Sequence, residues 1–408
     1  MFIEVDNVKG FQDFLPPESV KRKAIKQIIE KNFSLYGFLP VETSIIELDE
    51  LMRPDILQSE DESVSDRFKL KDRGGRNLGL RYEFTFQLAK LFKLNQNIKL
   101  PFRRYQIGEV FRDEPVGPGR FRQFTQCDID IVGDESINAD TDLIVVVKNI
   151  LDELKVEAVI QVNNRKLISS LIESVQIQEK TRVMRELDKI EKIGEDNVKS
   201  NLRKYADANQ IITLFKLLEK DLKFFKENNF EGTDELEELQ KRCKQRGIKI
   251  DIVPTMMRGL GYYTGNVFEV KQKGASGSIA AGGRYDKSVG KYVKRDIPAV
   301  GISFGLERMM SVSNLEPKAS ISALIISLEK ENEVIKLTER MRKSNIPCLS
   351  SFDKIGKSLE FANATNIPYV IFLGDEEFQK KKLKLKDMTS GEEKLLSEKQ
   401  IISLLKKI

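Results

Sequence analysis

Residues 111–130 read FRDEPVGPGRFRQFTQCDID, and the layout of the chain around them follows from how this stretch folds. The Gly/Pro-rich tip PVGPG separates two strand-like runs, FRRYQIGEVFRDE and RFRQFTQCDIDIVG, which predicts an antiparallel hairpin. Alternate side chains of a strand face opposite sides. On the second arm the even positions give Arg122, Phe124, Gln126, Asp128 and Asp130, and the odd ones Phe121, Thr125, Cys127, Ile129 and Ile131. The odd face is therefore mostly core. The even face carries an aromatic plate, an amide and two acids in a row, and Arg112 on the first arm reaches the same side. A flat ring beside guanidiniums suits a nucleotide, with the ring on the base and arginine gripping phosphate bidentately. The amide and acids suit an ammonium or a hydrogen-bonding side chain, so the pattern describes an amino acid meeting ATP. The competing reading is a hairpin laced with surface ion pairs.

Outward from the hairpin, residues 17–36 read as a helix with Val20, Ala24, Ile28 and Leu35 on one face. LPVETSIIEL (39–48) reads as a strand, and LGLRYEFTFQLAKLF begins as one, placing Arg81, Glu83 and Thr85 on one side before it turns helical. A helix is expected at 139–154 and a strand at VEAVIQVNN. Residues 165–245 are dense in Lys, Glu, Leu and Ile at helical spacing and read as a helical insertion, with Leu202, Tyr205, Ile212, Phe215, Leu218 and Phe225 as its core. Strands return at 246–315, so 1–164 and 246–315 form the two parts of one core. After a linker at about 312–320, residues 321–408 alternate strand and helix, which predicts a small α/β domain with a parallel sheet.

Composition narrows the class. The 408 residues are 40% hydrophobic and 32% charged, with 68 basic against 63 acidic side chains and a net charge of +5, a globular balance with little bias toward nucleic acid. Cys127, Cys243 and Cys348 form no CxxC pair, which argues against a disulfide framework or zinc site and for a reducing compartment. Neither a signal peptide nor a bilayer-length apolar run is read, so a cytoplasmic location without a membrane partner is expected. The chain contains no histidine and no tryptophan. Chemistry must therefore run on arginine, carboxylates, tyrosine and bound ions.

Three further segments, RGLGYYTG (258–265), AAGGRYD (280–286) and GISFGLER (301–308), complete a pattern that resembles the histidyl-tRNA synthetases, a class II aminoacyl-tRNA synthetase family. The hairpin is similar to that family's motif 2 in its archaeal and eukaryotic form, GISFGLER to motif 3, and the other two to its histidine-specific signatures. The resemblance implies an α+β catalytic domain, an antiparallel sheet with flanking helices, carrying a helical insertion and followed by an anticodon-binding α/β domain. It implies a homodimer that makes histidyl-adenylate from L-histidine and ATP and moves the histidyl group to tRNA(His). ATP is a substrate with Mg2+, and neither a tightly bound cofactor nor a protein metal site is expected. By position, Arg112 and Arg258 are the catalytic cations. Glu83, Thr85, Arg112, Gln126, Asp130, Arg258, Tyr262 and Tyr263 bind histidine, while Arg112, Glu114, Arg120, Phe124 and Arg308 bind ATP. Arg122 is placed near the acceptor end of the tRNA.

Three positions depart from the family pattern: Gly261 for Asp in the first signature, Ser44 for the proline of motif 1, and Thr125 where His or Tyr is common. The main rival is a non-catalytic, synthetase-like regulatory subunit of ATP phosphoribosyltransferase. Such subunits typically lack the C-terminal domain and lose the motif arginines, whereas this chain has both. A class II synthetase for another amino acid would leave both histidine signatures unexplained.

Overall fold

The computed structural model describes residues 5–52, 67–117, 119–257, 262–273, 277–293, 295–317 and 319–406; Arg258 and Gly261 lie outside them. The chain divides into two compact units, Met1–Leu315 and Glu316–Ile408. The strands of the first are β1 (Leu39–Pro40), β2 (Ile46–Leu48), β3 (Lys69–Lys71), β4 (Asn77–Leu80), β5 (Phe102–Phe111), β6 (Gln123–Val132), β7 (Ala158–Asn164), β8 (Asp251–Ile252), β9 (Asn266–Gln272), β10 (Ser278–Arg284) and β11 (Ala299–Gly305). Eight of them form a sheet in the order β1-β5-β6-β11-β10-β9-β7-β8, and β2-β4-β3 form a smaller one. The large sheet is antiparallel except at its two edges, where β1 runs parallel to β5 and β8 parallel to β7.

The hairpin is the expected one, with β5 and β6 paired from Phe102↔Val132 to Phe111↔Gln123. Its connection is longer than the PVGPG tip, so Arg112, Arg120 and Arg122 stand on the loop rather than on strands. The odd face of β6 is core as the two-residue period predicts: Cys127, Ile129 and Ile131 are buried against α1 (Glu18–Leu35) and α3 (Ile137–Glu153). On α1 the buried face is Ile25, Ile29, Asn32 and Phe33, whereas Leu35 is 70% exposed. The expected face was therefore misplaced by about one residue, because the smaller Val20 and Ala24 carried the reading. LPVETSIIEL is not one strand but two short ones in different sheets. Arg81 and Glu83 follow β4 in irregular backbone, and Thr85 opens the helix α2 (Thr85–Leu94) instead of continuing a strand.

From α4 (Arg165–Ser174) to α10 (Thr233–Gln245) the chain is helical. Leu202, Phe215, Leu218 and Phe225 are buried there, but Ile212 is half exposed and Ile211 takes its place. These side chains join the same apolar cluster as β6, α1 and α3, so the block shares the sheet's core. A buried polar network pins α3 to the sheet. Arg284 donates to the carbonyls of Asp134 and Ser136 at 3.1 Å each and pairs with Asp140. Asn266 donates to the other oxygen of Asp140 at 3.1 Å, and Asn164 to Asn266 at 2.8 Å. After β11, α11 (Leu306–Val312) closes the unit.

The second unit holds β12 (Ala323–Ser327), β13 (Cys348–Ser351), β14 (Tyr369–Leu373), β15 (Leu383–Asp387) and β16 (Glu393–Leu396) in the order β13-β12-β14-β15-β16. The first three are parallel, as expected from the alternation of strand and helix, and β15 and β16 add an antiparallel edge. The expected parallel sheet is thus mixed. The lysine-rich run KKKLKLK supplies β15, with Leu383 and Leu385 buried and Lys384 and Lys386 on the other face.

Candidate functional site

A cavity opens over the even face of β6. Phe124, Gln126, Asp128 and Asp130 line its floor, an arrangement that follows directly from strand pleating. Glu83 and Thr85 enter from the start of α2, Arg112, Glu114 and Arg120 from the hairpin loop, Tyr262 and Tyr263 from the segment before β9, and Arg308 from α11. Of the assigned residues within the described set, only Arg122 is outside this lining. It turns away, donating to the Glu114 carbonyl at 3.2 Å, lying 3.3 Å from Asp113 and packing on Gly10.

At the mouth, the Arg112 guanidinium lies between two rings, 4.4 Å from the centroid of Tyr82 and 5.0 Å from that of Phe124. Such stacking holds a planar cation without using its hydrogens, and Arg112 Nε is buried without a hydrogen-bond partner. Tyr82 donates to Glu114 at 3.0 Å. Arg308 donates to the Ser278 carbonyl. Glu307 is structural: it accepts from the Thr125 amide at 3.0 and 3.1 Å and from Arg22 at 2.6 Å, tying α11 to β6 and α1. Thr125, one of the departures from the family pattern, also accepts from Arg22.

Deeper in, the groups are buried and mostly acidic. Glu83 accepts from the Phe86 amide at 2.8 Å; burial pushes its carboxyl up, while bonds from Thr85 and Phe86 and the charge of Arg112 oppose that. Gln126 donates to Ser303 at 2.7 Å, which leaves its carbonyl oxygen buried without a partner. Burial pushes Asp128 up to about 8 against the pull of Arg104. Asp130 is also pushed up by burial, but Arg104 lies 2.8 Å from one of its oxygens and Tyr285 donates to the other. Burial holds the Tyr262 and Tyr285 hydroxyls well above the usual phenol range, so both are neutral donors. Gly301 keeps the floor open, since a Cβ there would lie 2.0 Å from Asp130 Oδ1; one on Gly282 would lie 2.0 Å from the Gly301 carbonyl oxygen.

Sequence reasoning missed Arg104, Tyr285, Ser303 and the part played by Asp128. Tyr285 stands in AAGGRYD and Ser303 in GISFGLER, both singled out as segments. Arg104 gave no signal, because FRRYQ reads as a polar strand while the side chain is 1% exposed.

Comparison with known proteins places the chain in a family. Residues 10–309 match the family model described as histidyl-tRNA synthetase, and residues 322–408 match the one described as anticodon binding domain. Histidine–tRNA ligase 1 of Bacillus cereus is 37% identical over 414 residues, covering 96% of this chain and 95% of its own. The histidine–tRNA ligase of Helicobacter acinonychis is 33% identical, covering 94% of each. The crystal structure of histidyl-tRNA synthetase from Nostoc sp. superposes with a TM-score of 0.88 at 28% identity over both whole chains. A structure from Bacillus halodurans described as an ATP phosphoribosyltransferase regulatory subunit/histidyl-tRNA synthetase shares the fold, with a TM-score of 0.75 at 21% identity. A sheet of this topology over such a pocket, followed by an anticodon-binding domain, is that of an aminoacyl-tRNA synthetase, a ligase of class II. Within that class, the chain belongs to the histidyl-tRNA synthetase family.

Proposed function

We propose that this cavity activates histidine with ATP and passes the histidyl group to tRNA(His). The observation that carries the reading is the polarity gradient along one strand face, from Phe124 at the mouth, with Arg112 of the loop stacked on it, to Gln126, Asp128 and Asp130 at the floor. Phe124 and Arg308 hold the adenine ring, Glu114 its edge, and Arg120 the outer phosphates. Arg112 binds the α-phosphate and the amino-acid carboxylate. Its fixed guanidinium faces the charge that develops as the carboxylate attacks phosphorus and pyrophosphate leaves. Arg258 acts with it, as the resemblance implies, from outside the described residues. Glu83, Thr85 and the free Gln126 carbonyl take the α-ammonium, a use that satisfies an otherwise orphaned buried acceptor. Asp130 faces the imidazole with Tyr262, and Tyr263 and Tyr285 stand beside them.

Mg2+ arrives on the phosphates of ATP and neutralises their charge. Among the described residues, no group of three or more Cys, Asp or Glu side chains is placed to hold a metal ion. The protein works as a homodimer. Supporting this, Leu39, Ile45, Ile46, Leu48 and Leu70 are each 41% or more exposed in or beside the small sheet and its neighbouring edge strand, in the region the resemblance gives to the dimer interface. No helix among the described residues is long and apolar enough to cross a membrane, and the cytoplasm is the compartment we assign. Residues 165–245 form the insertion of the catalytic core, residues 321–408 hold the anticodon, and Arg122 meets the acceptor end.

Charging of tRNA(His) with radiolabelled histidine by the purified protein tests the assignment, and sedimentation tests the dimer. Formation of histidyl-tRNA is expected. Folded protein that charges no tRNA would favour the regulatory-subunit reading.

A further inference from the structure

Glu83, Asp128 and Asp130 are three buried carboxyls lining one pocket. The guanidinium beneath them is Arg104, which stands directly across from Asp130 in the β5–β6 register. It is not shared evenly. Arg104 Nη2 lies 2.8 Å from Asp130, while on Asp128 it acts only through its field. Tyr285 occupies the second oxygen of Asp130, so that carboxylate is held on both sides. Among the described residues, no cation pairs with Asp128 as Arg104 pairs with Asp130. It meets the Ser303 hydroxyl from β11, the Gln126 amide at 3.5 Å and the fields of Asp130 on its own strand and Glu83 at the start of α2. Arg112, from the loop, acts on Glu83.

We propose that Asp128 is the proton-exchanging group of the amino-acid pocket: neutral when the pocket is empty, it releases its proton to solvent as the ammonium end of the substrate enters, while Arg104 positions Asp130 as the permanent carboxylate. The inference rests on the histidine reading above. One O–H bond breaks, the proton passes to solvent or buffer, and the arriving ammonium replaces it as the neutralising charge. A neutral Asp128 is what the geometry asks for, because Arg104 is already paired with Asp130, and a second ionised carboxyl buried beside that one on the same strand face would be repelled. The raised affinity of Asp128 for its proton agrees with this, and two neighbouring acids whose surroundings separate their titrations take different roles.

The linkage has a definite sign. A group whose empty-state pKa is high and falls on binding makes affinity rise with pH until the empty-state value is passed. The imidazole of free histidine is already largely neutral above pH 7, so it contributes little to the change. Titration calorimetry of the full-length protein with L-histidine at pH 7.0, in buffers of differing ionisation enthalpy, reads the protons released directly. The expected result is release of most of one proton per site, with affinity rising about fivefold from pH 7 to pH 8. In Asp128→Asn the release vanishes and that rise flattens. If this variant does not fold or bind, Ser303→Ala serves instead. It removes the hydroxyl bonded to the ionised form, so the step should move to higher pH.

Histidine binding by wild type with no proton release overturns the proposal, as does release that persists in Asp128→Asn. No binding of histidine by wild type at any pH would instead sink the substrate reading on which the proposal stands.

Discussion

Two buried Arg–Asp pairs, one joining the large sheet to α3 and one across two of its strands, have opposite characters. Around Arg284 and Asp140, two backbone carbonyls, Asp286 and the amide of Asn266 complete the hydrogen bonding, and Asn164 extends it toward α10 by donating to Glu235 at 2.7 Å. Around Arg104 and Asp130, the Nε and Nη2 of the arginine and one carboxylate oxygen lack a well-aligned hydrogen bond, although the charges are 2.8 Å apart. A buried polar network that is fully satisfied holds elements together; one left partly open next to a cavity retains capacity for a ligand. On the proposed function, the first pair is scaffold and the second serves the site.

Substitutions can break or sharpen that contrast. The largest effect is expected at the mouth of the site: Arg112→Ala should lower ATP–pyrophosphate exchange by about a thousandfold, the scale for a cation aimed at developing charge, with an unchanged melting temperature. Next, Arg284→Met should cost about 3–5 kcal/mol of stability by leaving Asp140 buried and unpaired, read as a lower denaturant midpoint. Arg104→Met should instead act chiefly on the KM for histidine. If it destabilises as much as Arg284→Met and leaves KM alone, the two pairs are equivalent and the contrast fails. Tyr285→Phe removes one donor to Asp130 and should raise the KM for histidine about tenfold with little change in kcat, equivalent to about 1.4 kcal/mol. The smallest effect should come from Lys384→Ala on the exposed face of β15. Its ion pair with Glu393 at 3.5 Å is open to solvent, and a change within about 0.5 kcal/mol is expected by denaturant titration.

Most of the cavity lining was legible because a strand reports its two faces in alternate letters. Once Cys127, Ile129 and Ile131 are taken as core, Gln126, Asp128 and Asp130 must face the other way. The same rule failed at Arg81, Glu83 and Thr85, where a strand gives way to a helix within a few residues and no period holds. It failed again at LPVETSIIEL, whose apolar letters serve two different sheets. Arg122 shares the even parity of the floor residues but precedes β6, and backbone outside a strand does not keep the alternation. Arg104 was invisible for another reason. A buried charge is recognised by its partner, and Asp130 is its partner only through the pairing of β5 with β6. The parallel part of the C-terminal sheet followed from alternating strands and helices, while its antiparallel edge was hidden in a run that is mostly lysine.

On the proposed function, the row Gln126–Asp128–Asp130 selects histidine for reaction with ATP. ATP–pyrophosphate exchange with each of the twenty amino acids in turn tests it most directly. Exchange supported by histidine alone, and lost in Asp130→Ala while the fold is retained, is the predicted result. Exchange supported by a different amino acid, or by histidine equally well without the Asp130 carboxylate, would contradict it.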